Sequence, residues 1–163
     1  MKTIKFLLLF LIAGTGFGIA QQLPSVPIKD LNGKTVDTST LENAGKPFII
    51  SFFATWCKPC LRELDAIKEV YEDWQKETGV KLYAVSIDDA QNSLRVAPEV
   101  RAKDWQFEIL LDSNSDFMRA LGINRIPAVF VVDGTGNIVS SRTGYTDGAE
   151  EQLIEEVRKL IEK

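Results

Sequence analysis

The sequence predicts an α/β fold with a central mixed β-sheet flanked by helices, and three observations predict it. Apolar runs of strand length alternate with segments whose apolar residues recur every three or four positions. The chain then closes on two strands joined by a glycine-rich turn, followed by a helix. Its 163 residues are enough for one domain with a single sizeable core.

The first twenty residues stand apart from that domain. Lys2 and Lys5 give a positive start, Phe6 to Ile12 is almost wholly apolar, and Gly18 and Ala20 place small residues ahead of Gln21, the pattern of a secretory signal. Residues 1–20 are therefore assigned as a signal peptide and 21–163 as the folded domain. An uncleaved anchor is the alternative, but Phe6 to Ala20 would span only about 22 Å of helix against a hydrocarbon core of roughly 30 Å. No Cys lies near the boundary to carry a lipid.

Residues 22 to 47 hold Asn32-Gly33 between short β-prone runs, which predicts an N-terminal hairpin. Phe48 to Ala54 (FIISFFA) is continuously apolar, as a strand covered on both faces must be. From Pro59, the residues Leu61, Leu64, Ile67, Tyr71 and Trp74 trace one face of a long helix that ends at Gly79. Val80 to Ile87 reads as a second strand, 91–105 as a helix, Phe107 to Leu111 as a short strand and Asp116 to Leu121 as a helical stretch. Asp88-Asp89 reads as a solvated turn, and Trp74 and Trp105 as packing residues. Pro127 to Val132 and Ile138 to Thr143 are strands joined by Asp133-Gly-Thr-Gly-Asn137, a hairpin turn and not a phosphate loop because strand follows it. Leu153, Ile154, Val157, Leu160 and Ile161 place an apolar stripe on a closing helix.

Composition narrows the function. Removing the first twenty residues moves the formal charge from −4 to −6, with 17 basic against 23 acidic side chains, which argues against a nucleic-acid surface. The chain contains no His, so Cys-His catalysis and imidazole metal ligation are excluded. The two cysteines, Cys57 and Cys60, form a CxxC between the apolar strand and the long helix.

A redox pair, an inert staple and half of a metal site are the three readings of that CxxC. At a helix N-terminus, free backbone N–H groups and the helix dipole favour an anion, so the Cys57 thiol should ionise more easily than a free thiol at about 8.5. Cys60, one turn on, can bond to Cys57 without backbone movement and so can release a substrate from a mixed disulfide. Lys58 adds positive charge and Pro59 stiffens the turn, so both tune the potential. Glu63, three residues after Cys60 on the same helix face, can accept the Cys60 proton; on a solvated face it would only balance Arg62 and Lys68. A staple closing so short a loop would contribute only about 2 kcal/mol. A metal would need two further ligands, for which Met118 is the one soft candidate. Redox chemistry is preferred, with no metal and no cofactor beyond the Cys57–Cys60 disulfide.

With Phe52-Phe-Ala-Thr-Trp-Cys-Lys-Pro-Cys60, Val85-Ser-Ile-Asp88, Ala120-Leu-Gly-Ile123, Ile126-Pro-Ala-Val-Phe-Val-Val-Asp133 and Gly144 in this order, the chain resembles the thioredoxin superfamily. Within it, the chain is similar to the exported TlpA and ResA-like thiol-disulfide oxidoreductases. The resemblance implies a thioredoxin-like fold with a helix and strand inserted between Asp88 and Pro127, and a cis bond before Pro127 packed against the Cys pair. It also implies a substrate groove flanked by Trp56, with the Ile126 backbone pairing with an extended chain. Glu63 matches the carboxylate frequent in that branch. Two positions depart from the pattern. Ser51 stands where thioredoxins proper have a buried Asp, so a proton relay must use Glu63 or water, and Asp65 replaces a proline that usually kinks the helix.

The resulting expectation is an exported, periplasmic, monomeric oxidoreductase that reduces protein disulfides, with a membrane thiol carrier as electron donor and cytochrome c maturation as one setting. A thiol peroxidase and a thioredoxin-fold binding module with a structural disulfide are the rivals.

Overall fold

A computed structural model describes residues 21–162; the predicted signal segment lies outside the described residues. The strands are β1 (Gln21–Gln22), β2 (Pro27–Asp30), β3 (Thr35–Asp37), β4 (Phe48–Phe53), β5 (Lys81–Ser86), β6 (Glu108–Leu111), β7 (Ala128–Val132) and β8 (Asn137–Thr143). The helices are α1 (Lys58–Thr78), α2 (Val96–Lys103), α3 (Asp116–Ala120) and α4 (Ala149–Ile161). One mixed sheet joins all eight strands in the order β1-β8-β7-β4-β5-β6-β2-β3.

The centre of the sheet follows from its sequence. Every residue of β4 is buried, because β4 sits between parallel β5 and antiparallel β7 and is covered on both faces. Ile49 and Phe53 point to the face carrying α1 and α4, where Leu64, Ile67, Trp74, Leu153 and Ile154 pack on them. Phe48, Ile50 and Phe52 point to the other, with Phe117 and Met118 of α3. Alternate residues of one strand thus build two cores.

The N-terminal hairpin forms as predicted, β2 pairing with β3 across Gly33 in the left-handed region at φ 81°. The closing hairpin and the inserted helix and strand also form. The stretch 91–105 is shorter than one helix: a 3₁₀ turn at Asn92–Arg95 leads into α2, which stops at Asp104 (φ 54°), so that Trp105 packs from a loop. In α4 the stripe falls short of its last member, Ile161, which is exposed. The pairing of Gln21–Gln22 with β8 had no signal in so short a polar segment.

α1 runs unbroken for 21 residues and ends on Gly79, whose φ of 69° closes the last turn. The helix continues through Asp65 without a break. The Asp65 carboxylate accepts hydrogen bonds from Lys103 Nζ at 2.6 Å and Trp105 Nε1 at 3.1 Å, tying α1 to the end of α2. Among the described residues no helix is long and apolar enough to cross a membrane.

Candidate active site

β4 delivers the chain to the end of the sheet, where Ala54 to Trp56 turn it into α1 with Cys57 as the N-cap residue. Cys57 and Cys60 are joined by a disulfide, with Cα atoms 5.3 Å apart. The backbone N–H of Cys60 points at Cys57 Sγ, 3.3 Å away. A sulfur at that position receives a helix-terminal donor and the positive end of a long helix dipole, the arrangement that stabilises a thiolate. Both cysteines are buried, whereas Lys58 and Pro59 between them are exposed.

The loop before the cysteines is held by a residue that sequence reasoning placed in solvent. Asp88 is only 1 % exposed. It accepts hydrogen bonds from the Thr55 backbone N–H (2.9 Å), the Thr55 hydroxyl (2.7 Å) and the Ser86 hydroxyl (2.8 Å). The expectation of a solvated turn holds for exposed Asp89, whose side chain caps the following 3₁₀ turn. It fails for Asp88 because the end of β5 lies directly beside the CxxC loop, where Thr55 needs an acceptor.

Glu63 is buried, at 2 % exposure, on the α1 face that meets the sheet. Ser51 Oγ donates to its Oε2 at 3.2 Å, while Oε1 has no partner among the described residues. Burial pushes its carboxyl up to about 7, against the Ser51 hydrogen bond and the Arg142 charge, which pull it down, and with Glu150, which adds to the rise. A carboxyl there can hold or release a proton near neutrality.

The Ile126–Pro127 bond is cis. Pro127 is buried and its carbonyl accepts from the N–H of Gly144 at 2.8 Å, which joins the start of β7 to the end of β8. Ile126 is half-buried and packs against the core cluster that contains both cysteines, and its own N–H and carbonyl have no hydrogen-bond partner among the described residues. Trp56 is 62 % exposed, so core packing does not explain it. Cys57 and Cys60 lie in one core cluster, Ile126 packs against that cluster and against the one on the other face, Glu63 is buried on α1 with Cys60, and Trp56 is on the surface. Met118 packs in the cluster on the opposite face of the sheet, away from the cysteines, and no group of three metal-ligating carboxylates and thiols occurs among the described residues.

A strand, a CxxC at a helix N-terminus and a cis-proline opening the next sheet strand define a thioredoxin-like protein. The chain belongs to the AhpC/TSA family, whose model matches residues 19–141. It is 31 % identical to thiol-disulfide oxidoreductase ResA of Halalkalibacterium halodurans, over 86 % of this chain and 76 % of that one. Among solved structures it is similar to a thioredoxin-like protein from Porphyromonas gingivalis, at 61 % identity and a TM-score of 0.78, covering 86 % of this chain and 92 % of the other. StoA from Bacillus subtilis matches at 28 % identity and a TM-score of 0.65, over 82 % and 96 % of the two chains.

Proposed function

We propose that this thiol-disulfide oxidoreductase works as a reductase of protein disulfides outside the cytosol. The observation that carries the reading is the placement of the Cys57–Cys60 disulfide at the N-terminus of α1 with a buried, proton-holding carboxyl one turn further in. In the reduced protein the Cys57 thiolate attacks one sulfur of a substrate disulfide, forming a mixed disulfide and releasing the other substrate sulfur as a thiolate. Glu63 takes the Cys60 proton, and the Cys60 thiolate attacks Cys57 Sγ, forming the Cys57–Cys60 bond and releasing the second substrate thiolate. Two electrons pass to the substrate, and a dithiol carrier in the membrane restores the pair.

Lys58 and Pro59 tune the potential from the exposed turn, and Trp56 with the free Ile126 backbone and Pro127 receives an extended segment of the substrate protein. Export is supported by the signal-like first twenty residues and by a CxxC suited to a compartment where disulfides persist. Cytochrome c maturation is one process that needs such a reductase. A peroxidase reading is disfavoured because the Thr55 hydroxyl beside Cys57 is committed to Asp88.

The test is the equilibrium reduction potential of the Cys57–Cys60 pair in the purified protein. A value near roughly −270 mV supports a reductase, and one near about −120 mV would make the protein a disulfide donor. A pair that does not equilibrate with glutathione or thioredoxin would leave only the binding module.

A further inference from the structure

Glu63 is not the sole charged group turned into the space between α1, α4 and the sheet. Strand register places Ser51 opposite Val129, and Val129 opposite Arg142, so the three side chains leave the same face of β4, β7 and β8. That face carries α1 and α4, as Val129, Leu64 and Leu153 in one cluster attest. Arg142 thus starts two strands from Ser51, roughly 10 Å away, a span that an arginine and a glutamate reaching toward each other over Val129 can close. Glu150 stands half-buried in the first turn of α4.

Three buried polar atoms in this space have no hydrogen-bond partner among the described residues: Glu63 Oε1, Arg142 Nε and Glu150 Oε2. An unpaired buried polar atom costs about 1–3 kcal/mol, and here one cation and two carboxylates each leave one in the same place. Apolar side chains of similar size would fill the space without that cost. Ser51 on β4 donates into the network, and the charges that act on nearby Tyr145 are Glu150, Asp147, Glu63 and Arg62, of which Asp147 and Arg62 are exposed. The Tyr145 hydroxyl is raised by burial first, then by Glu150, Asp147 and Glu63, so it senses the same charges.

We propose that Arg142 and Glu150 are opposed positioning residues that set whether Glu63 holds its proton, Arg142 favouring the carboxylate and Glu150 the neutral acid. The inference rests on Glu63 as the proton acceptor for Cys60. β8 and α4 thereby join the thiol chemistry through the charges they carry. Arg142 draws Glu63 toward ionisation and Glu150 opposes it, in agreement with the direction of each charge.

The experiment follows the Glu63 carboxyl carbon by ¹³C NMR through a pH titration of the oxidised protein, in which neither cysteine titrates, so the result is independent of whether the pair is a reductase. Arg142→Gln should raise the proton affinity of Glu63 by roughly threefold or more, Arg142→Lys should restore it, and Glu150→Gln should lower it. Equal shifts in Arg142→Gln and Arg142→Lys would overturn the proposal, because the charge is kept in the second. So would an unmoved Glu63 midpoint in Arg142→Gln and Glu150→Gln. Should Arg142→Gln not fold, the downward shift in Glu150→Gln decides the matter alone.

Discussion

Ser51 donates its hydroxyl to Glu63 Oε2 across 3.2 Å, linking the middle of β4 to the second turn of α1. The two residues answer one question jointly. Where thioredoxins proper carry a buried Asp on this strand, the chain has a hydroxyl, and the carboxyl comes from the helix instead. The acid is moved from sheet to helix and kept in the buried layer.

Glu63 makes stability pH-dependent, and the sign follows from its folded value of about 7 against an ordinary 4.5. Between these two values the folded protein holds a proton that the unfolded chain has released, so this group's contribution falls as pH rises from 4.5 to 7 and is flat on either side. The loss amounts to about 3 kcal/mol. Urea unfolding of oxidised wild type and Glu63→Gln across this range should show the variant gaining on wild type as pH rises. A constant difference would place Glu63 outside the titration.

Asp88→Asn should loosen the loop that presents the cysteines. The carboxylate accepts three hydrogen bonds from Thr55 and Ser86, and an amide has one oxygen to offer in their place. A loss of about 2 kcal/mol is expected. Hydrogen exchange at the Thr55 amide should accelerate more than at Leu64 in the core, and equal acceleration would mean global destabilisation with no local tie.

How far the sequence carried these conclusions depended on the range of the signal. The apolar run of β4, the stripe of α1 and the turn glycines are local patterns, and they placed the strands, the long helix and the CxxC. Asp88 was misread because its partner Thr55 lies 33 residues away, and the charge and position of an aspartate do not reveal such a partner. The link from Ser51 to Glu63 depends on how α1 lies on β4. Arg142 is harder still, since its place on the same sheet face as Ser51 follows from two strand registers and nothing in its neighbouring sequence marks it.

Cys60→Ser should trap substrates. Cys57 would still attack, but no second thiol remains to resolve the mixed disulfide. Incubation of the reduced variant with a disulfide-bonded protein should give a dithiothreitol-sensitive adduct on Cys57 by mass spectrometry, and Cys57→Ser should give none, because Cys60 is fully buried. Adducts on Cys60 would reverse the assigned roles.

The tie at Asp65 separates a hydrogen bond from an ion pair. Lys103 and Asp65 are each about one-third exposed, so their charge attraction is screened and Lys103→Ala should cost well under about 1 kcal/mol. Trp105 is buried, and in Asp65→Ala its Nε1–H loses its acceptor, at a cost of about 1–2 kcal/mol. Asp65→Asn keeps an acceptor oxygen and should stay close to wild type. Urea midpoints at constant m-value rank the three variants, and equal losses in Lys103→Ala and Asp65→Ala would show that the ion pair, and not the indole, holds α1 to the inserted segment.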